Sequence, residues 1–373
     1  MVHISSHFDG GNIEVISLNG DDVRLRIRPD AGSDHLQWFY FRVSGARGRT
    51  LRYSLDNAGR ASYPEAWHNY RVRVSHDRQT WRGVDTDFDG KVLRFEHTAE
   101  HDALWFAYFA PYGHDRHQDQ LALAQQHPDV RVDVLGITLD GAELDRIVVG
   151  KAEGPKVWVI ARQHPGETMA EWCVEGLVHR LLDTADPVAR WLLQHAQFHI
   201  VPNCNPDGAR RGHLRTNAVG TNLNRAWAEP TAATSPEVLA IRDAMDASGV
   251  DYCLDVHGDE AIPYTFVAGS EAIPSWTNKQ AQQLATFQAA LVHASPDFQT
   301  EHGYPVSAPG QANMTMCTNQ VAQRFNAFSV TLEMPFKDHD DLPDADVHFS
   351  PARAQRLGGA LLDALRALIR EDA

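Results

Sequence analysis

Lys156-Val157-Trp158-Val159-Ile160-Ala161 runs into Arg162-Gln163-His164-Pro165-Gly166-Glu167, and this segment sets the architecture of the larger part of the chain. The first six residues read as an apolar strand, and Pro165-Gly166 turns the chain. Residues 167–182 then repeat at helical period, with Met169, Trp172, Cys173, Val174, Leu177 and Leu181 on one apolar stripe. Strand, turn and helix in that order form one unit of an α/β sheet, which binds ligands beyond the carboxyl ends of its strands. The pattern continues outward. Strands are predicted at 130–138, 146–149, 197–201, 252–257, 264–268 and 328–334, and helices at 113–126, 188–195, 236–248, 275–294, 319–326 and 351–371. Before residue 115 the texture changes to short strands, predicted at 12–18, 23–28, 36–43, 70–75, 92–97 and 104–110. Turns such as Asn57-Ala58-Gly59 and Asp89-Gly90 separate them. Regularly spaced short strands without a long helix predict an antiparallel β-sandwich over 1–115, with Trp38, Phe39, Tyr40 and Phe41 in its core, ahead of an α/β domain over 116–373.

The 373 residues include 34 Lys and Arg against 49 Asp and Glu, a formal net charge of −15. That balance argues against nucleic acid or an anionic membrane as partner. No stretch reaches the ~20 apolar residues that span a bilayer. The start, MVHISSHFDGGNIEV, carries neither the basic residues nor the apolar core of a secretory signal, so a cytoplasmic location is expected. Cys173, Cys204, Cys253 and Cys317 form no C-x-x-C pair and read as reduced, buried residues. Nothing ahead of the β-sandwich resembles a cleavable inhibitory segment, so none is expected. Oligomeric state is open.

Four features fall at predicted strand ends. His164 and Glu167 sit three apart, and zinc takes imidazole nitrogen and carboxylate oxygen. Alone, the pair reads more readily as a loop histidine and a helix-start glutamate favoured by the macrodipole. Asp255-Val256-His257-Gly258-Asp259-Glu260 ends a second strand, where His257 could complete a two-histidine, one-carboxylate set. Alone it is a polar loop, in a chain with 20 histidines. Asn203-Cys204-Asn205-Pro206-Asp207-Gly208 reads as a turn. Arg215 and Thr221-Asn222-Leu223-Asn224-Arg225 follow it. Two arginines and an asparagine there could clamp a carboxylate or lie on a solvated loop, the reading that suits Arg210 and Arg211. Finally, Glu333 interrupts the apolar run 328–334. A buried carboxylate is costly unless paired or used, and desolvation raises its pKa toward that of a general base.

Taken in order, His164-Pro165-Gly166-Glu167, Asn205-Pro206-Asp207-Gly208, Arg215, Asn224-Arg225, His257 and Glu333 resemble the zinc metallocarboxypeptidase family, specifically a bacterial member of the cytosolic carboxypeptidase subfamily. His35-Leu36-Gln37-Trp38-Phe39-Tyr40-Phe41 and Phe109-Ala110-Pro111-Tyr112 resemble the β-domain of that subfamily. The resemblance implies a mixed eight-stranded sheet in an α/β/α domain and one zinc ion per chain, held by His164, Glu167 and His257. It implies hydrolysis of the C-terminal peptide bond of a peptide or protein. In that reaction Glu333 is the general base toward a zinc-bound water, Arg215 holds the oxyanion, and Asn224 and Arg225 bind the terminal carboxylate. Asn222 stands where many secreted relatives have an aspartate that orients a zinc histidine. Tyr304 is the nearest candidate for their mobile tyrosine. Eukaryotic members trim glutamate. Doing so here would need a basic group in the side-chain pocket, for which Arg324 is the candidate, against the alternative of a solvent-facing helix arginine. A zinc amidase acting on acyl-amino acids or cell-wall peptides, and a non-catalytic peptide-binding zinc protein, are the alternative readings.

Overall fold

A computed structural model describes residues 1–372. The N-terminal β region is two five-stranded sheets. One runs His3–Ser5, Tyr40–Ser44, Ala103–Ala107, Val72–Ser75, Arg82–Val84 and is antiparallel throughout. The other runs Glu14–Asn19, Asp22–Arg26, Thr50–Leu55, Leu93–Thr98, Thr86–Phe88. In it Asp22–Arg26 pairs parallel with Thr50–Leu55, which corrects the all-antiparallel expectation. Residues 27–49 cross to the other sheet between those two strands, so the second returns in the same direction as the first. Alternation points Leu51, Tyr53 and Leu55 into an aromatic core, where Tyr53 stacks on Phe95 at 4.7 Å and meets Phe106 at 4.9 Å.

The α/β region is built on a mixed sheet in the order Arg131–Ile137, Glu143–Gly150, Gln197–Val201, Lys156–Ala161, Tyr252–Val256, Phe328–Glu333, Phe266–Ala268. The four central strands are parallel and their carboxyl ends share one edge. Seven strands form among the described residues, not eight. Beyond Phe266–Ala268 only a single parallel bridge joins Thr265 to Phe298. Gly303, Pro305, Pro309 and Gly310 break the chain that follows, leaving it no run that can pair.

Helix Thr168–Leu181 packs against Pro351–Asp372 through backbone-to-backbone approach at two glycines. A Cβ on Gly358 would overlap the carbonyl of Cys173 and lie 3.0 Å from the amide of Leu177, and one on Gly176 would overlap the carbonyl of Gln355. Gly358→Ala is therefore expected to cost about 3 kcal/mol by forcing the helices apart. A urea midpoint unchanged from the parent would refute that packing.

Helix His114–Ala124 enters between the two regions and buries His117 between Glu171 (Nδ1–Oε1 2.7 Å) and Asp145 (Nε2–Oδ2 3.1 Å). Burial alone would lower the His117 pKa, but the two carboxylates outweigh it and push it up to about 9. The folded value lies above the unfolded one, so this stabilisation is complete below pH ~6.5 and is lost as pH rises through about 9. Unfolding free energy should fall by about 3 kcal/mol across that interval, and His117→Gln should flatten the curve. An unchanged slope in the variant would refute the assignment.

Candidate metal centre and active site

The ligand loop starts where strand Lys156–Ala161 ends. Arg162 adopts φ 59°, a region that non-glycine residues hold only when over-determined. Its guanidinium does the holding: Nε donates to the Pro165 carbonyl at 2.9 Å, and Nη1 to the Tyr112 carbonyl at 2.8 Å and to Glu171 Oε2 at 2.6 Å. His164 and Glu167 are thereby turned back over the sheet edge. His257 follows strand Tyr252–Val256, with its amide on the Leu332 carbonyl at 2.8 Å, and Glu333 closes strand Phe328–Glu333.

His164, Glu167 and His257 are buried, and one ligand atom from each lies within 4.8 Å of the others, an arrangement found nowhere else among the described residues. His164 Nε2 faces Asn222 Oδ1 at 3.0 Å, and His257 Nε2 faces Asp255 Oδ1 at 2.9 Å. Both partners accept, which assigns the ring proton to Nε2 and leaves each Nδ1 lone pair aimed at a Glu167 oxygen, at 2.6 and 2.7 Å. Lone pairs against a carboxylate repel, so these groups require one positive charge among them, from a proton or a cation. The electrostatics agree. Burial would raise Glu167, yet the two imidazoles hold it below the usual carboxylate range. Burial and then Arg215 hold His164 down to about 4, ready to offer a lone pair. His257, although buried, is pushed well up by Asp255 and Glu167. Fixed tautomers, a His₂Glu donor set and carboxylate or amide acceptors behind each imidazole fit zinc.

Around this centre the structure places most of the predicted residues. Glu333 is buried, and its Oε2 has no hydrogen-bond partner. Burial raises its pKa well above the usual value, while His257 opposes and Glu167, Asp259 and Glu260 add to the rise. Tyr304, half-exposed, donates its hydroxyl to Asp259 Oδ2 at 2.5 Å and lies 3.3 Å from Glu333 Oε1. Asn224 is pinned by the Cys317 amide on its Oδ1 at 2.9 Å, with its Nδ2 3.4 Å from His257 Nε2. Arg215 lies over the Tyr63 ring at 5.5 Å. Arg225 is depressed by burial and then by Arg215, the mark of two crowded cations that an anion would relieve.

Arg324 is the exception. It sits in the last turn of helix Cys317–Phe325 and is paired with Asp246 by two 2.7 Å bonds. It precedes the amino end of Phe328–Glu333, about 17 Å of strand from Glu333. It is a surface ion pair, placed at the opposite end of that strand from Glu333. Asn205-Pro206-Asp207-Gly208 is also corrected: it opens helix Pro206–Arg211, with the Asn205 side chain accepting from the Gly208 amide at 3.0 Å. Arg211 pairs with Asp140 and Arg210 contacts His114, both at the surface as expected.

Sequence reasoning missed Asp255, Gln163, Tyr63 and Glu260. Asp255 was within reach, since a residue two before His257 on a strand points to the same face. Gln163 fixes it, donating to both Asp255 oxygens at 2.8 Å while accepting from Trp227 Nε1 at 2.8 Å. Glu260 is buried beside Arg215.

Comparison with known proteins supplies the family. Residues 4–109 match the family described as the cytosolic carboxypeptidase N-terminal domain, and 118–355 match zinc carboxypeptidase. The chain is 47% identical to a metallo-carboxypeptidase from Burkholderia cenocepacia, covering 100% of both chains with a TM-score of 0.97. It is 43% identical to a Pseudomonas aeruginosa metallo-carboxypeptidase solved in complex with (2-guanidinoethylmercapto)succinic acid, covering 99% of both with a TM-score of 0.96. Human cytosolic carboxypeptidase 1 is 28% identical over 72% of this chain, which spans 26% of that protein.

Proposed function

The chain belongs to the zinc carboxypeptidase family and is a metallocarboxypeptidase, and from that premise we propose that it releases single residues from the carboxyl termini of peptides or proteins with one zinc ion held by His164, Glu167 and His257. The observation that carries the reading is the pair of imidazoles whose Nε2 atoms face the Asn222 and Asp255 side-chain oxygens while both Nδ1 atoms converge on Glu167.

Zinc at these ligands supplies Lewis acidity toward a carbonyl and makes water a stronger acid near neutral pH. The side chains do the rest. Arg225 and Asn224 bind the free α-carboxylate, which restricts cleavage to chain ends. Arg215 donates to the scissile carbonyl oxygen as it gains charge. Glu333, whose free oxygen has no protein partner, takes a proton from the attacking water and passes it to the departing amine. Its pKa in this site is raised mainly by burial and by neighbouring carboxylates, and a cation beside it would return it to the ionised form a base needs. Tyr304, tied to Asp259 at the mouth, is a hydroxyl donor for the bound terminus. The N-terminal domain ends at 115 in this reading, between the two matched segments.

A library of peptides with varied C-terminal residues, incubated with zinc-loaded protein and read by mass spectrometry, tests this directly. Loss of one residue from the carboxyl end is expected, and its distribution gives the side-chain preference. Internal cleavage, or release of acyl groups instead of residues, would overturn it.

A further inference from the structure

The segment that carries Arg215 is held along its length from the N-terminal β region. Asp30 is 2% exposed, and its carboxylate accepts four hydrogen bonds from that segment. Oδ1 takes the Leu214 amide at 2.7 Å; Oδ2 takes the amides of Arg215 at 2.8 Å and Thr216 at 2.9 Å, and the Thr216 hydroxyl at 3.0 Å. Asp30 is itself fixed, its amide on the His35 carbonyl at 2.8 Å and its carbonyl accepting from Ser33 at 3.1 Å. The contacts continue on both sides. The Ala31 amide donates to His213 Nε2 at 3.0 Å. Gly32 and Gly220, at φ 71° and 86°, meet backbone to backbone, and a Cβ on Gly32 would lie 2.8 Å from the Val219 carbonyl. Upstream, the Gly10 amide reaches the Arg210 carbonyl at 3.0 Å, and Asn12 Nδ2 the Gly212 carbonyl at 2.9 Å. Tyr63 from the same region lies against the Arg215 guanidinium. The segment also touches the ligand loop, where the Gly166 amide donates to the Leu214 carbonyl at 2.9 Å.

We propose that Asp30 is a positioning residue for catalysis: by fixing three consecutive backbone amides at 214–216 it aims Arg215 into the site, so that the N-terminal β region is a working part of the active centre. The inference rests on the reading of Arg215 as the group that holds the scissile carbonyl oxygen. Three amides converging on one carboxylate define the local backbone more tightly than a turn could, and charge-assisted bonds of this kind are the strong ones. A misplacement of about 1 Å in a catalytic group can cost on the order of 100-fold.

The test uses the full-length, zinc-loaded protein and the best peptide from the library. Asp30→Asn places an NH₂ against at least one backbone N–H whichever way the amide turns. It is expected to lower kcat by roughly 10- to 100-fold, with KM within about threefold because Asn224 and Arg225 are untouched. Arg215→Ala is expected to lose roughly 100- to 1,000-fold. The double variant should be no slower than Arg215→Ala alone within about threefold, since a misaimed arginine and an absent one are the same defect. Equal losses from Asp30→Asn with and without Arg215 would overturn the proposal. An unchanged kcat in Arg215→Ala would instead sink the underlying reading of Arg215. Two further measurements cover poor folding of Asp30→Asn. Thr216→Val removes one of the four bonds but keeps the three to backbone amides, so it should fold with a melting temperature only a few degrees lower and should lower kcat about threefold. A crystal structure of Asp30→Asn should show the Arg215 guanidinium displaced from the Tyr63 ring. Unchanged kcat in Thr216→Val, or an undisplaced Arg215, would refute the positioning role.

Discussion

Glu333→Gln is expected to lower kcat by roughly 100- to 10,000-fold while the protein keeps its fold and its zinc. The substitution preserves volume and leaves a carbonyl oxygen near Tyr304, so packing at the end of strand Phe328–Glu333 is unaffected. It removes only the capacity to take a proton. Zinc retention follows because the three proposed ligands are elsewhere, at 164, 167 and 257. The amide has no charge to bury, so the variant is also expected to be at least as stable as the parent. In the parent that charge is crowded by Glu167, Asp259 and Glu260. Kinetics with the best library peptide, paired with metal analysis of the same sample, reads both arms. Turnover within tenfold of the parent, at full zinc content, would show that another group moves the proton.

Residues adjacent in sequence, or tied to strand ends, were readable in advance. His164, Glu167, His257 and Glu333 each follow or close an apolar run, and a parallel sheet gathers such ends at one edge. Arg324 failed for the same geometric reason. It is close to Glu333 in number but not in space, because a strand of six residues carries the chain from one edge of the sheet to the other. Strand Thr50–Leu55 was missed because its outward positions, Thr50, Arg52 and Ser54, dilute the apolar signal that Leu51, Tyr53 and Leu55 carry at period two. The parallel pairing of that strand depends on which sheet the intervening chain visits, which no local pattern encodes. Asp30 lay furthest beyond reach. It is one acidic residue among 49 Asp and Glu, and its role exists only because folding brings it to amides 184 to 186 positions away. Long-range polar contacts of that kind leave no periodicity, so sequence pattern finds the chemistry and misses what aims it.

Stripping the metal with a chelator is expected to abolish turnover and to lower the melting temperature by roughly 10 °C, with both restored by zinc. The stability arm follows from the ligand geometry. Without a cation, Glu167 faces two Nδ1 atoms at 2.6 and 2.7 Å. A proton must then bind between them, or the groups must separate inside a buried site. An ion present at ~1,000 times its dissociation constant adds about 4 kcal/mol to the folded state, and ~2–4 °C per kcal/mol converts this to a shift of that size for a large domain. The effect must depend on pH with a definite sign. Zinc displaces the proton that His257 holds strongly in its absence, so acid competes with the metal and the holo-apo difference should shrink as pH falls. Asn222→Asp sharpens the test, because a carboxylate behind His164 Nε2 makes that imidazole a more basic ligand than the present amide does. Zinc affinity should rise about tenfold or more, read by competition with a chromophoric chelator. Apo-protein that melts with the holo form at every pH, together with an Asn222→Asp affinity equal to the parent's, would mean that His164, Glu167 and His257 are a buried proton-sharing cluster and not a metal centre.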